Sequence, residues 1–227
     1  MIKKLIQSKR FSLSIFLFVV AIFCFSLTIF RQYRTQENMY IFLNWNLFLA
    51  FIPWGLSSLL IIYPKMQKKI FLIIILPLWL LFFPNTIYIL TDIIHLRHTN
   101  YHIFWYDLFL VLSFALTGLF LGLISLLDID KILTKYFKVR IRSLIIIAII
   151  FVSSFGVYLG RFLRWNSWDI INQPFALLYD VAHNIIFPLQ HIKTWMVTIL
   201  LGILFNIIYW TIKFIHYESK NDFTGSN

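Results

Sequence analysis

Six uninterrupted apolar runs set the terms for this chain: Phe11–Phe30, Ile41–Ile62, Ile70–Leu90, Phe104–Leu127, Ser143–Leu163 and Thr194–Ile215. A hydrocarbon core about 30 Å thick is crossed by about 20 helical residues. Inside it every backbone N–H and C=O must be satisfied within the protein, which leaves helices or closed barrels. The runs are continuous, not ten-residue alternations, so a β-barrel is excluded. They predict an all-α, polytopic transmembrane bundle of about six spans. One domain is expected over residues 1–217, with a disordered polar tail over 218–227.

Composition agrees. The 227 residues are 60% hydrophobic and 13% charged, against about 45–50% and about 25% in soluble domains. The net charge of +11 does not point to nucleic acid, because no basic aromatic patch lies outside the apolar runs. The basic residues sit in short loops. Lys3, Lys4, Lys9 and Arg10 precede the first span. Lys65, Lys68 and Lys69 follow the second, and Lys131, Lys135, Lys138, Arg140 and Arg142 follow the fourth. Lys213 and Lys220 close the chain. These segments share one side and hold most of the 20 Lys and Arg, so that side is expected to be cytoplasmic, with both termini there. The first run is too long for a cleaved signal and lacks a small-residue cleavage site, so it reads as an uncleaved span. Cys24, the only cysteine, permits no intrachain disulfide and no multi-cysteine zinc site.

The polar residues are concentrated. Asn44-Trp45-Asn46, the stretch from Pro84-Asn85 to His95, Trp105-Tyr106-Asp107, and Gly160-Arg161 through Asp169 all fall at one depth on the opposite, outer side. Ionisable groups near lipid are costly, so such a cluster marks a candidate site. Asn85, Tyr88, Asp92 and His95 are spaced by three, four and three, which puts them on one helical face. That stripe reads either as a pocket wall or as a hydrogen-bond seam between helices. In the first reading Asp92 and His95 form an acid–base pair. Pro77 and Pro84 are expected to kink this span and free carbonyls beside the stripe. Asp92, His95, His98 and His102 supply metal-type ligands, but at no standard zinc spacing. His98 and His102 read as wet loop residues, and no metal site is assigned.

Arg161 and Arg164 share a face if their helix continues. Two guanidinium forks beside Trp165 and Trp168 suit the phosphate or carboxylate of an anionic headgroup. The rival reading is self-pairing with Asp92, Asp107 and Asp169. Asp107 also suits the first turn of the fourth span, where the helix dipole favours a carboxylate. Asn44 and Asn46 cannot point the same way on a helix, so one is expected to cap it and the other to enter the site. Within the long segment Arg164–Lys193, Pro174 is placed to open a short interfacial or re-entrant helix. Its apolar stripe would be Phe175, Leu178, Tyr179 and Ala182, with Asp180, His183 and Asn184 more polar. Gly118 with Gly122, and Gly156 with Gly160, form small-xxx-small pairs suited to close helix packing.

Several of these strings together resemble a bacterial membrane-protein family, domain of unknown function 1361. They are Asn44-Trp45-Asn46, Pro84-Asn85 with Tyr88, Thr91-Asp92, His95-Leu96, Trp105-Tyr106-Asp107, and Gly160-Arg161 with Arg164-Trp165-Asn166-Ser167-Trp168-Asp169. The resemblance runs from about Asn44 to Asp180. It implies a multi-pass protein of the bacterial inner membrane and brings no activity, substrate or cofactor. His98 and His102 are outside its pattern. The candidate ligand-binding set is Asn44, Asn46, Asn85, Tyr88, Asp107, Arg161, Arg164, Asn166 and Asp169, with Asp92 and His95 as the acid–base pair. The expected partners are membrane lipids, through an anionic headgroup that is bound or processed. The alternatives are a non-catalytic subunit docking a partner through the Arg164–Lys193 segment, and a small transporter. The inner halves of the spans, with Ser57, Ser58 and Ser125, offer a transporter little.

Overall fold

The computed structural model describes residues 10–99 and 101–224, and every regular element among them is helical. Six of its helical stretches are long and apolar enough to cross a membrane. The chain divides into two compact units, Met1–Ile132 and Leu133–Asn227.

In the first unit, α1 (Arg10–Thr35) and α2 (Phe42–Ile62) lead into α3 (Lys69–Phe82), α4 (Pro84–Tyr88) and the long α5 (Phe104–Leu133). The buried residues of α1 are Leu17, Ala21, Cys24, Thr28 and Arg31. Their four-three spacing is one helical stripe. Phe16, Phe18, Ile22, Phe23, Ile29 and Phe30 point outward. Large apolar groups face out and small or polar ones face in, as expected where lipid is the solvent. Lipid tails are as apolar as leucine, so helices there are held by close packing and hydrogen bonds. The core joins Leu17, Ala21 and Cys24 to Leu43, Leu47 and Ala50 of α2, and to Leu110, Phe114 and Leu121 of α5.

Gly118 and Gly122 show that packing directly. A Cβ on Gly118 would lie 2.9 Å from the Thr86 carbonyl oxygen, and one on Gly122 2.5 Å from Thr86 Oγ1. The expected small-residue groove is therefore filled by α4. Beside it, Trp79 Nε1 donates to Ser125 Oγ at 2.6 Å, and Ser125 donates to the Pro53 carbonyl at 2.9 Å.

The third span departs from a single straight helix. Pro77 is accommodated inside α3, but the α-helix gives way at Phe83, before Pro84 restarts it. From Ile89 to His98 the chain winds as a 3₁₀ helix. Proline removes a donor and crowds the preceding turn, and nearby side chains take up the carbonyls at the break. Asn85 Nδ2 donates to the Phe82 carbonyl at 2.9 Å, Thr86 Oγ1 to that of Phe83 at 2.8 Å, and Thr91 Oγ1 to that of Tyr88 at 2.6 Å.

In the second unit, α6 (Val139–Phe162) is followed by α7 (Asp169–Asn172), α8 (Pro174–Ile186) and α9 (Ile192–Thr224). The buried faces of α6 (Ile146, Ile150, Ser153, Val157) and α9 (Thr194, Thr198, Phe205, Tyr209) have matching helical spacing. Phe151 fills the space beside Gly202, and Phe155 stacks on Trp195 with ring centroids 6.0 Å apart. Pro174 opens α8 at its first turn, as its fixed φ and missing N–H suit it to do. Helix α9 continues to Thr224, into the stretch read from sequence as a polar tail.

Candidate functional site

At one end of the first unit a buried ion pair organises three elements. Arg31 sits on the inward stripe of α1 and Asp107 in the first turn of α5. Arg31 Nε meets Asp107 Oδ1 at 2.9 Å and Nη2 meets Oδ2 at 3.2 Å. Their side chains are 3% and 0% exposed. A forked guanidinium–carboxylate pair fixes orientation as well as charge. Nη2 also reaches Glu37 Oε2 at 3.2 Å, and Nη1 reaches Thr35 Oγ1 at 3.3 Å. The guanidinium carbon lies 4.8 Å from the centre of the Tyr40 ring. Thr99 donates to Asp107 Oδ2 at 3.1 Å, so the Tyr40 hydroxyl, 2.7 Å from Thr99 Oγ1, acts as donor to Thr99. Burial raises the Tyr40 phenol above its usual value, the Asp107 charge adds to the rise, and the Thr99 hydrogen bond opposes it. A shallow, open apolar groove of about 570 Å³ lies beside α1, lined by Ser26, Leu27, Ile29, Phe30, Tyr33 and Tyr106. None of these six carries a formal charge.

Asp92 and His95 lie together on the 3₁₀ segment. Asp92 is completely buried. Asn46 Nδ2 donates to its Oδ2 at 3.1 Å, while Oδ1 faces His95 Nε2 at 3.8 Å. That second distance exceeds a direct hydrogen bond, so the contact is electrostatic when the imidazole is charged. His95 is 35% exposed and rests against Phe42, with ring centroids 5.0 Å apart. The 3₁₀ winding brings residues three apart into line, which keeps His95 over Asp92. The arrangement sets a partly accessible imidazole beside a fixed, buried carboxylate.

The other predicted residues divide. Asn46 enters the Asp92 site. Asn44 does not cap α2, whose N-cap position is Ile41 without a side-chain cap; its amide donates to Thr28 Oγ1 at 3.1 Å and ties α2 to α1. Asn85 donates to backbone at the helix break, and Tyr88 is half-buried at the end of α4. Among the described residues no three His, Cys, Asp or Glu side chains are grouped to hold a metal ion.

In the second unit, Arg161 lies half-buried in the last turn of α6. The helix ends one residue later, at Phe162, and exposed Arg164 takes the left-handed region with φ 62°. Glycine normally occupies that position after a helix. The turn closes with the Trp165 N–H donating to the Leu159 carbonyl at 3.2 Å. Trp165 Nε1 donates to Asp180 Oδ2 at 2.8 Å, and Asp169 Oδ2 accepts the Asn166 backbone N–H at 2.7 Å. Lys193 comes to the same helix end, its Nζ 4.2 Å from the centre of the Phe162 ring.

Sequence reasoning missed Arg31, Lys193 and a pair at the far end of the first unit. There Arg10 bonds Asp128, Ser57 donates to Asp128 Oδ2 at 3.0 Å, and Arg10 Nη1 reaches Ser58 Oγ at 3.2 Å. Arg31 was findable, because it continues the Leu17, Ala21, Cys24, Thr28 register by one more step of three. Lys193 carried no such signal, since its approach to Phe162 depends on how α9 packs.

No curated protein and no solved structure matches the chain. A family model described as a protein of unknown function (DUF1361) matches residues 45–208, a span that includes Asn46, Asp92, His95, Asp107, Arg161, Arg164, Asn166, Asp169 and Lys193. The chain is a multi-pass membrane protein belonging to the DUF1361 family.

Proposed function

We propose that this protein binds the anionic headgroup of a membrane lipid or lipid-linked molecule at the outer face of a bacterial cytoplasmic membrane. The observation that carries the reading is the set of basic side chains gathered at the C-terminal end of α6 in the second unit. Exposed Arg164 and Lys193 flank the last turn that holds Arg161, beside the interfacial residues Trp165 and Trp168. Asp169 and Asp180, the nearby acids in sequence, accept hydrogen bonds from Asn166 and Trp165. Guanidinium and ammonium groups at headgroup depth suit a phosphate-type anion. The distribution of lysine and arginine supports the orientation, with both termini in the cytoplasm.

Native mass spectrometry of gently solubilised full-length protein tests this. Wild type should retain an anionic phospholipid, and the Arg164→Ala, Lys193→Ala double variant should lose it by about tenfold or more, the equivalent of about 1.4 kcal/mol. Equal retention by both rejects the reading.

A second reading, that the headgroup is also processed, rests on the Asp92–His95 pair. A fixed carboxylate under a partly exposed imidazole is suited to acid–base catalysis. Incubation with labelled anionic lipid, followed by chromatography, should then give a product with wild type and none with His95→Asn. Identical chromatograms leave binding alone.

A further inference from the structure

Helix α8 is turned inside out for a helix at a water surface. Its apolar residues point away from the unit: Phe175 is 86% exposed, Leu178 62%, Tyr179 68% and Ile186 65%. Its polar residues point inward and are engaged there. Asp180 accepts from Trp165 Nε1. Asn184 is 3% exposed, accepts Thr194 Oγ1 at 2.6 Å on its side-chain oxygen, and accepts Trp195 Nε1 at 3.1 Å on its backbone carbonyl. His183 Nδ1 lies 2.7 Å from His191 Nε2.

These bonds fix α8 to the first turn of α9, and α9 is a membrane-capable helix from Ile192 onward. The tie therefore sets the level of α8 at the point where α9 enters the bilayer. Its 13 residues extend about 20 Å at 1.5 Å per residue, too short to cross a hydrocarbon core of about 30 Å. No lysine or arginine lies between Pro174 and Ile186, so the helix has no basic side chain of that kind with which to grip anionic headgroups. What it offers is an exposed apolar face on a helix tied to the start of a membrane-capable one.

We infer that α8 lies in the plane of the membrane, with Phe175, Leu178, Tyr179 and Ile186 inserted among the acyl chains of the leaflet that α9 enters at Ile192. Its inward polar side is held by the unit's own hydrogen bonds, so lipid replaces water as the solvent of its exposed side. The inference is independent of headgroup charge, since apolar area alone carries the insertion.

The test uses the full chain in vesicles of neutral phosphatidylcholine, where headgroup recognition has no part. Cys24 is fully buried, so a thiol placed by Phe175→Cys or, separately, Ile186→Cys can be labelled selectively with a polarity-sensitive fluorophore. Nitroxide groups on the upper acyl chain should quench both labels several-fold more than aqueous iodide does. Stronger quenching by iodide places the face in water and overturns the inference. Resistance to both quenchers places it under protein and overturns it too. The second site keeps the test decisive if one variant fails to fold.

Discussion

The two units handle charge in opposite ways. In the first, Arg31 and Asp107 are withdrawn from solvent and joined to each other, to Thr99 and, through Arg31, to Glu37. In the second, Arg164 and Lys193 are exposed around the end of α6. A buried, mutually satisfied pair specifies how helices meet. An exposed pair of cations contributes little to folding and is available to a ligand. The sequence shows arginines and aspartates at similar depths in both regions, and only their surroundings separate structural charge from charge that can bind.

The strongest way to break this contrast is to remove one partner of the buried pair. Arg31→Ala strands the Asp107 carboxylate and is expected to cost about 3–5 kcal/mol, seen as a large fall in the temperature of detergent-phase unfolding. Replacing both partners by apolar residues of similar volume should restore much of that loss. A double variant as unstable as the single one would refute the account of Arg31 and Asp107 as a pair.

Next comes the packing seam of the first unit. Gly118→Ala pushes a methyl against the Thr86 carbonyl, which cannot rotate away, and is expected to destabilise by about 1–3 kcal/mol. Wild-type unfolding would show that α4 yields more easily than its close approach implies.

Smaller again is the effect of Tyr40. Its phenol is held above the ordinary value of 10.0, chiefly by burial. The folded state therefore keeps this proton where the unfolded chain gives it up. Its contribution is complete below the ordinary value and is lost as pH rises above it. Tyr40→Phe should flatten that alkaline decline, read as unfolding temperature against pH, while costing about 1 kcal/mol at neutral pH for the lost hydrogen bond. An unchanged slope would dissociate Tyr40 from it.

The smallest stability effect belongs to the second unit and sharpens the comparison most. Arg164→Gly relieves a left-handed residue that costs about 1–2 kcal/mol for a side chain with Cβ, offset by the backbone entropy glycine adds. The variant should fold as well as wild type or slightly better, yet retain less anionic lipid. Loss of stability would assign Arg164 a structural role like that of Arg31.

Much of the fold was legible beforehand, because helix-length apolar runs have few other uses and Pro174 marks a helix start by its own stereochemistry. The break in the third span was half legible: two prolines predicted loosening, but the 3₁₀ winding over Ile89–His98 came from tertiary context. Asp92 with His95 survived that change because a spacing of three aligns in 3₁₀ geometry as well as on an α-helix. One of Asn44 and Asn46 was expected to cap α2, and neither does, because helix boundaries are the least determined feature of a sequence. The N-cap position is Ile41, three residues before Asn44, whose amide instead bonds Thr28 on α1.

Apolar length, residue spacing and side-chain chemistry act locally, so the sequence by itself determined the number of spans, the small-residue pair at Gly118 and Gly122, and the identity of the polar residues. Pairing is decided across helices, by which faces meet. Only the tertiary structure assigned Arg31 to Asp107, Asn46 to Asp92, Arg10 to Asp128 and Lys193 to the ring of Phe162, since residues distant along the chain carry no local record of one another.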